Sequence, residues 1–375
     1  MPSMAKLAQA GGAQTGGAQA GGAPGGERVG VSRLLDVAHA AGVSLRTASR
    51  VLNDDPRVAP GTRQRVQDAM LELSFSPDAM ARSLRAGTDT AIGFVVESIS
   101  DPFFAQVIDA VEQEMSRHGR SVLVTSTRRD AGWERDVIGR MLQRRVAGLL
   151  LCPTGESHAW LDPERVPVVL VDRPAPGLSA DLVEIDDHRA AFDAVTHLAA
   201  RGHRRIAYVG DTPAISTSAA RLRGYRDALA HHRIEVDENL VRCDGATSRD
   251  AARAVSALIG GDPENPENPE NPENPESPRS RPPTAIFSAT TRASLGVVPA
   301  LHAARRTDIA LVAFGDFPMA DALQPAVTVV DHPGQEIGRV AAARLLARLG
   351  QPGLPVRRIK VPAPIVERGS GELRP

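Results

Sequence analysis

The sequence predicts an α/β protein in which an N-terminal all-α helix-turn-helix headpiece and a short hinge helix precede a body of two subdomains with parallel sheets. Three observations carry this. Between Val31 and about Ser74, three segments place apolar residues at i, i+3 and i+4: LLDVAHAA, SLRTASRVLN and TRQRVQDAMLEL. From Thr90 onward, β-branched apolar runs alternate with amphipathic stretches such as FFAQVIDAVEQEMSRHG and HRAAFDAVTHLAARG, the pattern of parallel sheet covered on both faces. That alternation is too long for one sheet, which divides the body in two.

Residues 1–28 repeat GGAQ/GGA, offer little to pack and are expected to be a disordered tail. The headpiece spans 29–75, with Gly42 between its first two helices and Asn53–Pro60 before the third. The hinge helix and its linker take 76–89, and the α/β body, to which the resemblance described below assigns ligand binding and dimerisation, takes 90–375. Strands are expected in AIGFVVE (91–97), SVLVTST (121–127), GLLLCP (148–153), VPVVLVD (166–172), RIAYVG (205–210), TAIFSA (284–289) and DIALVAFG (308–315). In the stretch 261–283 the triplet PEN recurs. Proline at every third position excludes helix or sheet ladder, so a solvated, disordered surface loop is expected there.

Composition narrows the function. The 44 basic and 45 acidic residues leave a net charge of −1, so any affinity for nucleic acid has to be local. Residues 28–88 provide that locality, with nine arginines against six acids. Lysine occurs only at Lys6 and Lys360, so arginine must make the phosphate and carboxylate contacts. The two cysteines, Cys152 and Cys243, form neither a disulfide framework nor a four-ligand zinc site, and fit a reducing cytosol. Cys152, at the end of a strand, reads as a buried small hydrophobe. No run approaches a membrane span, and the N-terminus lacks the apolar core of a secretory signal. The motifs of nucleophilic hydrolases, zinc peptidases, Walker loops and dinucleotide folds are missing, so neither an enzyme nor a cofactor or metal is expected.

The segment DVAHAAGVSLRTASRVLN carries the chemistry of the headpiece. Ala38 permits close helix approach, Gly42 supplies a positive φ, and Val43, Ala48 and Val51 face inward, with Ser44 placed to cap the second helix. Leu45, Arg46 and, one turn on, Arg50 are then exposed at the start of that helix. Arginine there suits bidentate contact to guanine, while Thr47, Ser49 and Asn53 suit phosphates or base edges, and Arg57 joins the same basic face. A three-helix bundle with solvated arginines is the plainer alternative. In SFSPDAMARSLRAG, Ser76 caps, Pro77 fits the first helical position and Gly87 ends a nine-residue helix, too short to stand alone in water. Held against DNA, it would expose Leu84 as an apolar wedge between base steps.

From LLDVAHAAGVSLRTASRVLN through PDAMARSLRAG to SISDPFF, and again in VVLVDRP, HLAARGHRRIAYVG, RLRGYRDAL, VAFGD and VPAPIVERGS, the chain resembles the lac/gal repressor family of transcription regulators. The resemblance implies a body like the periplasmic binding proteins, crossed three times by the chain. The N-subdomain would take about 90–185 and 334–360, and the C-subdomain about 186–333 and 361–370. It further implies dimeric binding to a pseudo-palindromic operator, with Leu45, Arg46 and Arg50 reading bases and Ala81 and Leu84 of the hinge in the minor groove. Asp78 departs from the usual hinge PNALARSL, and Ala48 stands where valine is more usual.

In the body the resemblance assigns effector contacts to Phe103, Phe104, Arg221, Thr290, Thr291, Gly315 and Asp316. Thr290–Thr291 replaces the family's usual Asn-Asp, and Gly315 replaces its usual aspartate. With those acids gone, an anionic or less hydroxylated effector is expected in place of a typical sugar. The function expected is a cytoplasmic, nucleoid-associated DNA-binding regulator, most simply a repressor, homodimeric and tuned by a small-molecule effector, a sugar or other small metabolite. An effector-independent regulator is the main rival. A solute receptor is disfavoured by the helix-turn-helix.

Overall fold

The computed structural model describes residues 34–52, 55–73, 75, 91–260 and 281–375. The expected tail, the hinge with Ala81 and Leu84, Asn53 and most of the PEN stretch lie outside the described residues. The described residues fall into two compact units on either side of residues 78 and 79.

In the first unit, α1 (Leu34–Ala40), α2 (Leu45–Leu52) and α3 (Pro60–Glu72) surround a core of Val37, Ala38, Ala41, Ala48, Val51, Val66 and Ala69. Alanines at four of these positions let short helices approach closely. Gly42 turns the chain at φ 63°, and the Ser44 hydroxyl accepts a hydrogen bond from the Thr47 amide at 3.2 Å, capping α2.

Among the described residues of the second unit, two six-stranded sheets form two lobes. The first has the order β11-β5-β4-β3-β1-β2, all parallel. Its strands are β1 (Ile92–Val96), β2 (Val122–Ser126), β3 (Gly148–Leu151), β4 (Val168–Val171), β5 (Asp181–Glu184) and β11 (Arg358–Lys360). Helices α4 (Pro102–Arg117), α5 (Ala131–Gln143) and α10 (Gly334–Gly350) belong to this lobe. The second sheet has the order β12-β10-β9-β8-β6-β7 and is parallel except for the β10–β12 pair. It comprises β6 (Ile206–Val209), β7 (Val241–Arg242), β8 (Ala285–Ser288), β9 (Ala310–Phe314), β10 (Thr328–Val330) and β12 (Ile365–Val366). Helices α6 (Asp187–Ala200), α7 (Ser216–His231), α8 (Ser248–Leu258) and α9 (Thr291–Ala303) belong to it. The chain passes between lobes after β5, after β10 and after β11. No helix among the described residues is long and apolar enough to cross a membrane.

All seven runs expected as strands are strands. Five short ones had not been expected: β5, β7, β10, β11 and β12. Each has two to four residues, and β5 opens and closes on an acid. Asp181 is fully buried there. It accepts from Arg344 at 2.8 and 3.1 Å, from Arg348 and from the Arg357 amide at 2.6 Å, tying α10 to β5. Buried charge survives because every partner is a donor. Cys152 is buried just after β3.

Helix contacts in the second lobe depend on missing side chains. A Cβ on Gly296 of α9 would fall 1.9 Å from the Ser248 carbonyl oxygen of α8, whereas one on Gly139 of α5 meets nothing within 4 Å. Gly296→Ala should therefore destabilise the body by about 1–3 kcal/mol, as overpacking does. Gly139→Ala should stabilise it by about 0.5–1 kcal/mol. Urea unfolding of both variants tests the contrast, and equal effects would refute it.

Candidate nucleic-acid interface and ligand cleft

Helix α2 presents Leu45, 48% exposed, and the exposed Arg46 and Arg50, with Thr47 and Ser49 half-buried beside them. Thr47 is partly committed: its hydroxyl lies 2.9 Å from that of Ser44. Arg50 is drawn toward Asp55, at 3.7 Å. Arg57 donates to the same carboxylate at 2.9 and 2.8 Å, and Arg63 donates to the Asp55 carbonyl at 2.8 Å. The hydrogen bonds from Arg57 hold the Asp55 carboxyl well below its usual range. Arg57, assigned to DNA from the sequence, thus belongs first to the turn between α2 and α3.

In the body, loops at the carboxyl ends of the strands of both sheets converge on one cleft, where open α/β sheets place their ligands. Of the residues expected at the effector, Phe103, Phe104, Arg221, Thr290 and Thr291 all line it. Gly315 and Asp316 are not among its lining residues. Asp316 is turned away into a two-bond pair with Arg368, at 2.9 and 2.6 Å. Gly315, at φ 82°, leaves room for Thr291, whose hydroxyl a Cβ there would meet at 2.1 Å. Thr290 and Thr291 spend their hydroxyls locally, one accepting from the Ala293 amide at the α9 N-cap, the other donating to the Phe314 carbonyl at 3.2 Å.

The sequence reading left Arg221 without acids, and here the structure corrects it. Arg221 donates to Asp187 at 2.7 Å and to the Ala289 carbonyl at 2.9 Å, with its guanidinium 3.7 Å from the Phe314 ring centroid. Around it stands a lattice the sequence did not reveal. Glu97, just past β1, accepts from Arg129 at 2.8 Å, Arg292 at 2.7 Å and Arg173 at 3.2 Å. Arg129 continues to Asp211 with two bonds, and Arg292 to Asp101 at 3.0 Å. Arg173 also holds Asp172 at 2.9 Å. His332 stacks on Phe103, ring centroids 3.7 Å apart and 12° from parallel, and its Nε2 is buried without a hydrogen-bond partner. The cavity left between these groups is about 50 Å³, well under the ~300–1,000 Å³ of ligand pockets.

Four arginines and four acids line the cleft, with Asp187 a fifth acid behind Arg221. Burial disfavours ionisation of Glu97, but Arg173, Arg129 and Arg292 outweigh it and bring its carboxyl down to about 2. Burial pushes Asp187 up to about 6 against the pull of Arg221. Burial, then the charges of Arg221 and Arg173, keep His332 neutral by lowering its pKa far below the ordinary value. One signal for the missed residues was present in the sequence: Glu97 and Asp172 directly follow apolar strands, in FVVE and VVLVD, and Asp211 and His332 stand two positions past theirs. Outside the cleft, His197, Glu367 and Glu372 converge on a common point, and Arg201 already lies 3.2 Å from Glu367 and 3.7 Å from Glu372.

A two-lobed α/β body closing on a polar cleft, joined in one chain to a helix-turn-helix unit, defines a ligand-responsive DNA-binding protein. Three family descriptions match: the lacI family of bacterial regulatory proteins over residues 33–78, the periplasmic binding proteins and sugar binding domain of LacI family over 89–267, and a periplasmic binding protein-like domain over 195–371. The chain is 30% identical over 333 residues to the transcriptional regulator GalR of Salmonella typhimurium strain LT2, covering 86% of this chain and 90% of that one. It is 28% identical over 353 residues to the ribose operon repressor of Escherichia coli K12, covering 91% and 100%. Among solved structures it resembles a complex of the regulator CelR with cellobiose, with TM-score 0.61, 26% identity, and 90% and 99% covered. It shares its fold with the lac repressor dimer bound to operator and the anti-inducer ONPF, with TM-score 0.75, 22% identity, and 91% and 99% covered. The chain belongs to the lacI family of bacterial regulatory proteins. It is a DNA-binding repressor with an effector-binding, periplasmic-binding-protein-like domain, in a family that is not enzymatic.

The two shifted acids pull stability in opposite directions with pH. Glu97, lowered from 4.5 to about 2, contributes stability above pH 4.5 that is lost as pH falls toward 2. Asp187, raised from 3.8 to about 6, binds its proton more tightly when folded, so its contribution is complete below pH 3.8 and lost as pH rises through 6. Urea unfolding of Asp187→Asn across this range should show a smaller fall in stability between pH 4 and 6 than the parent chain. Parallel profiles would show that Asp187 does not titrate in that window.

Proposed function

We propose that this repressor acts as a homodimer on a pseudo-palindromic operator and answers to a neutral, polyhydroxylated small molecule in the cleft. On the DNA side, Arg46 and Arg50 read bases from α2, with Leu45 against a base edge, while Ser44, Thr47, Ser49, Asn53 and Arg57 position the backbone. Ala81 and Leu84 of the hinge segment enter the minor groove. The regulator works in the cytoplasm, on nucleoid DNA. For the dimer, support comes from β2, an edge strand of its sheet, half-buried throughout, which lines a groove with Trp133, itself 38% exposed.

The observation that carries the effector reading is the charge balance of the cleft. Each guanidinium already faces a carboxylate, so an added anion finds no unopposed cation. This charge balance favours a neutral ligand over the anionic or less hydroxylated one expected from an Arg221 without acids. A polyol presents acceptors to arginine and donors to carboxylate in one molecule, and can stack an apolar ring face near the Phe103 and His332 rings. The ligand named in the CelR complex, cellobiose, is of this kind.

The test is fluorescence anisotropy on an operator identified by genome-wide footprinting. Arg46→Ala and Arg50→Ala should each weaken specific binding by about 1–3 kcal/mol. Leu84→Ala should lower specific binding while sparing nonspecific binding. Calorimetry with neutral mono- and disaccharides against sugar acids tests the effector. Tight binding of a carboxylate ligand alone would overturn the polyol reading, and operator binding unmoved by any ligand would favour an effector-independent regulator.

A further inference from the structure

Two arginines, one from each lobe, share the Glu97 carboxylate, and each makes ion pairs across the cleft, Arg129 to Asp211 and Arg292 to Glu97. Arg129 follows β2 in the first lobe, where it and Arg128 adopt the left-handed backbone at φ 66° and 54°, rare for side-chain-bearing residues. From there it donates to Glu97 of its own lobe at 2.8 Å and reaches across to both oxygens of Asp211 after β6. Arg292, in the first turn of α9, is anchored in the second lobe by the Ala246 carbonyl at 3.1 Å. It reaches back to Glu97 at 2.7 Å and Asp101 at 3.0 Å. Both arginines use the same oxygen, Glu97 Oε1.

The crossing arginine side chains are 29% and 24% exposed, against 4–10% for the acids that receive them, so the arginines are the solvent-accessible members of the network. Partly buried, charge-assisted and multiply hydrogen-bonded, each crossing is of the strong kind.

We infer that Arg129 and Arg292, joined through Glu97, form an ion-pair latch that sets the closure of the two lobes and thereby tunes operator affinity, and that an effector acts by taking over its hydrogen bonds. The latch is an internal competitor of the ligand: entry requires one molecule to supply acceptors to Arg129 and Arg292 and donors to Glu97, Asp101 and Asp211. A ligand satisfying only one sign leaves buried partners unpaired, which excludes it. The consequence for operator binding rests on the regulatory reading above; the latch itself does not.

The experiment uses the full chain with Cys243→Ser and spin labels at Glu156→Cys and Arg249→Cys, exposed positions following β3 and β7 on the two lobes. Distances are measured by double electron–electron resonance in the labelled parent, in Arg292→Met, in Asp211→Asn and in the double variant, with circular dichroism checking the fold. The latch requires the distance distribution to lengthen and broaden in each single variant and further in the double. It also requires operator affinity to shift in one direction across the series, by about fivefold or more in the double variant. A double variant whose distances superimpose on the parent's overturns the latch. Altered distances with unchanged operator affinity overturn its regulatory role. Should Arg292→Met fail to fold, Asp211→Asn carries the test through the other crossing. A parent chain that binds no operator refutes the regulatory reading while leaving the distances to decide the latch.

Discussion

The cleft depends on one buried carboxylate. Glu97 is 6% exposed and receives three guanidiniums, from Arg129, Arg173 and Arg292. Buried alone, such a group would take up a proton, and three arginines so close together without it would repel one another. Their donors come from the ends of β2, β4 and β8, so the cluster forms only when both sheets present their strand ends to the same space. Parallel pairing brings this about, because every crossover returns the chain to the same edge and the loops that carry charge gather there. The electrostatics of the site follow from the topology, and the topology from the alternation of apolar strands with helices.

That dependence explains how much was legible beforehand. The strands β1, β2, β3, β4, β6, β8 and β9 announce themselves because both faces are covered and their sequences are continuously apolar. Strand β5, DLVE, does not, because Asp181 is buried through Arg344 and Arg348 instead of through apolarity. Aromatic residues and Arg221 were recognisable through local motifs such as SISDPFF and RLRGY. Their partners were not: Glu97 and Arg129 are 32 positions apart, and Glu97 and Arg292 are 195 apart. No periodicity links residues at such separations. Asp316 was assigned by its neighbourhood to Phe314, yet Arg368, 52 positions away, captures it. A salt bridge closed by the last strands of the fold is invisible to any local reading.

The headpiece shows the same economy of charge on a smaller scale. Four of its seven core residues are alanine, with no rotamers to vary, which fixes the direction of α2 more firmly than larger side chains would. Asp55 then gathers Arg50 and Arg57 on one flank while Arg46 stays exposed on α2. An anion approaching that flank would compete with Asp55 for guanidiniums already oriented, so part of the ordering of those side chains is in place beforehand. The carboxylate reduces local positive charge and limits the geometries that its two arginines adopt.

The charge balance of the cleft also bears on how a ligand can be selected. Where cations and anions already satisfy one another, nothing is gained by adding charge, and attraction at long range is small. Affinity must come from exchange, each protein–protein hydrogen bond broken being replaced by one to the ligand, with apolar contact at the Phe103 and His332 rings as the surplus. Exchange of this kind is strict about geometry, because a single unmatched donor or acceptor leaves a buried charge bare. A cleft built from matched ion pairs thus discriminates by the arrangement of donors and acceptors rather than by net charge, and it does so with residues that no single stretch of the sequence brings together.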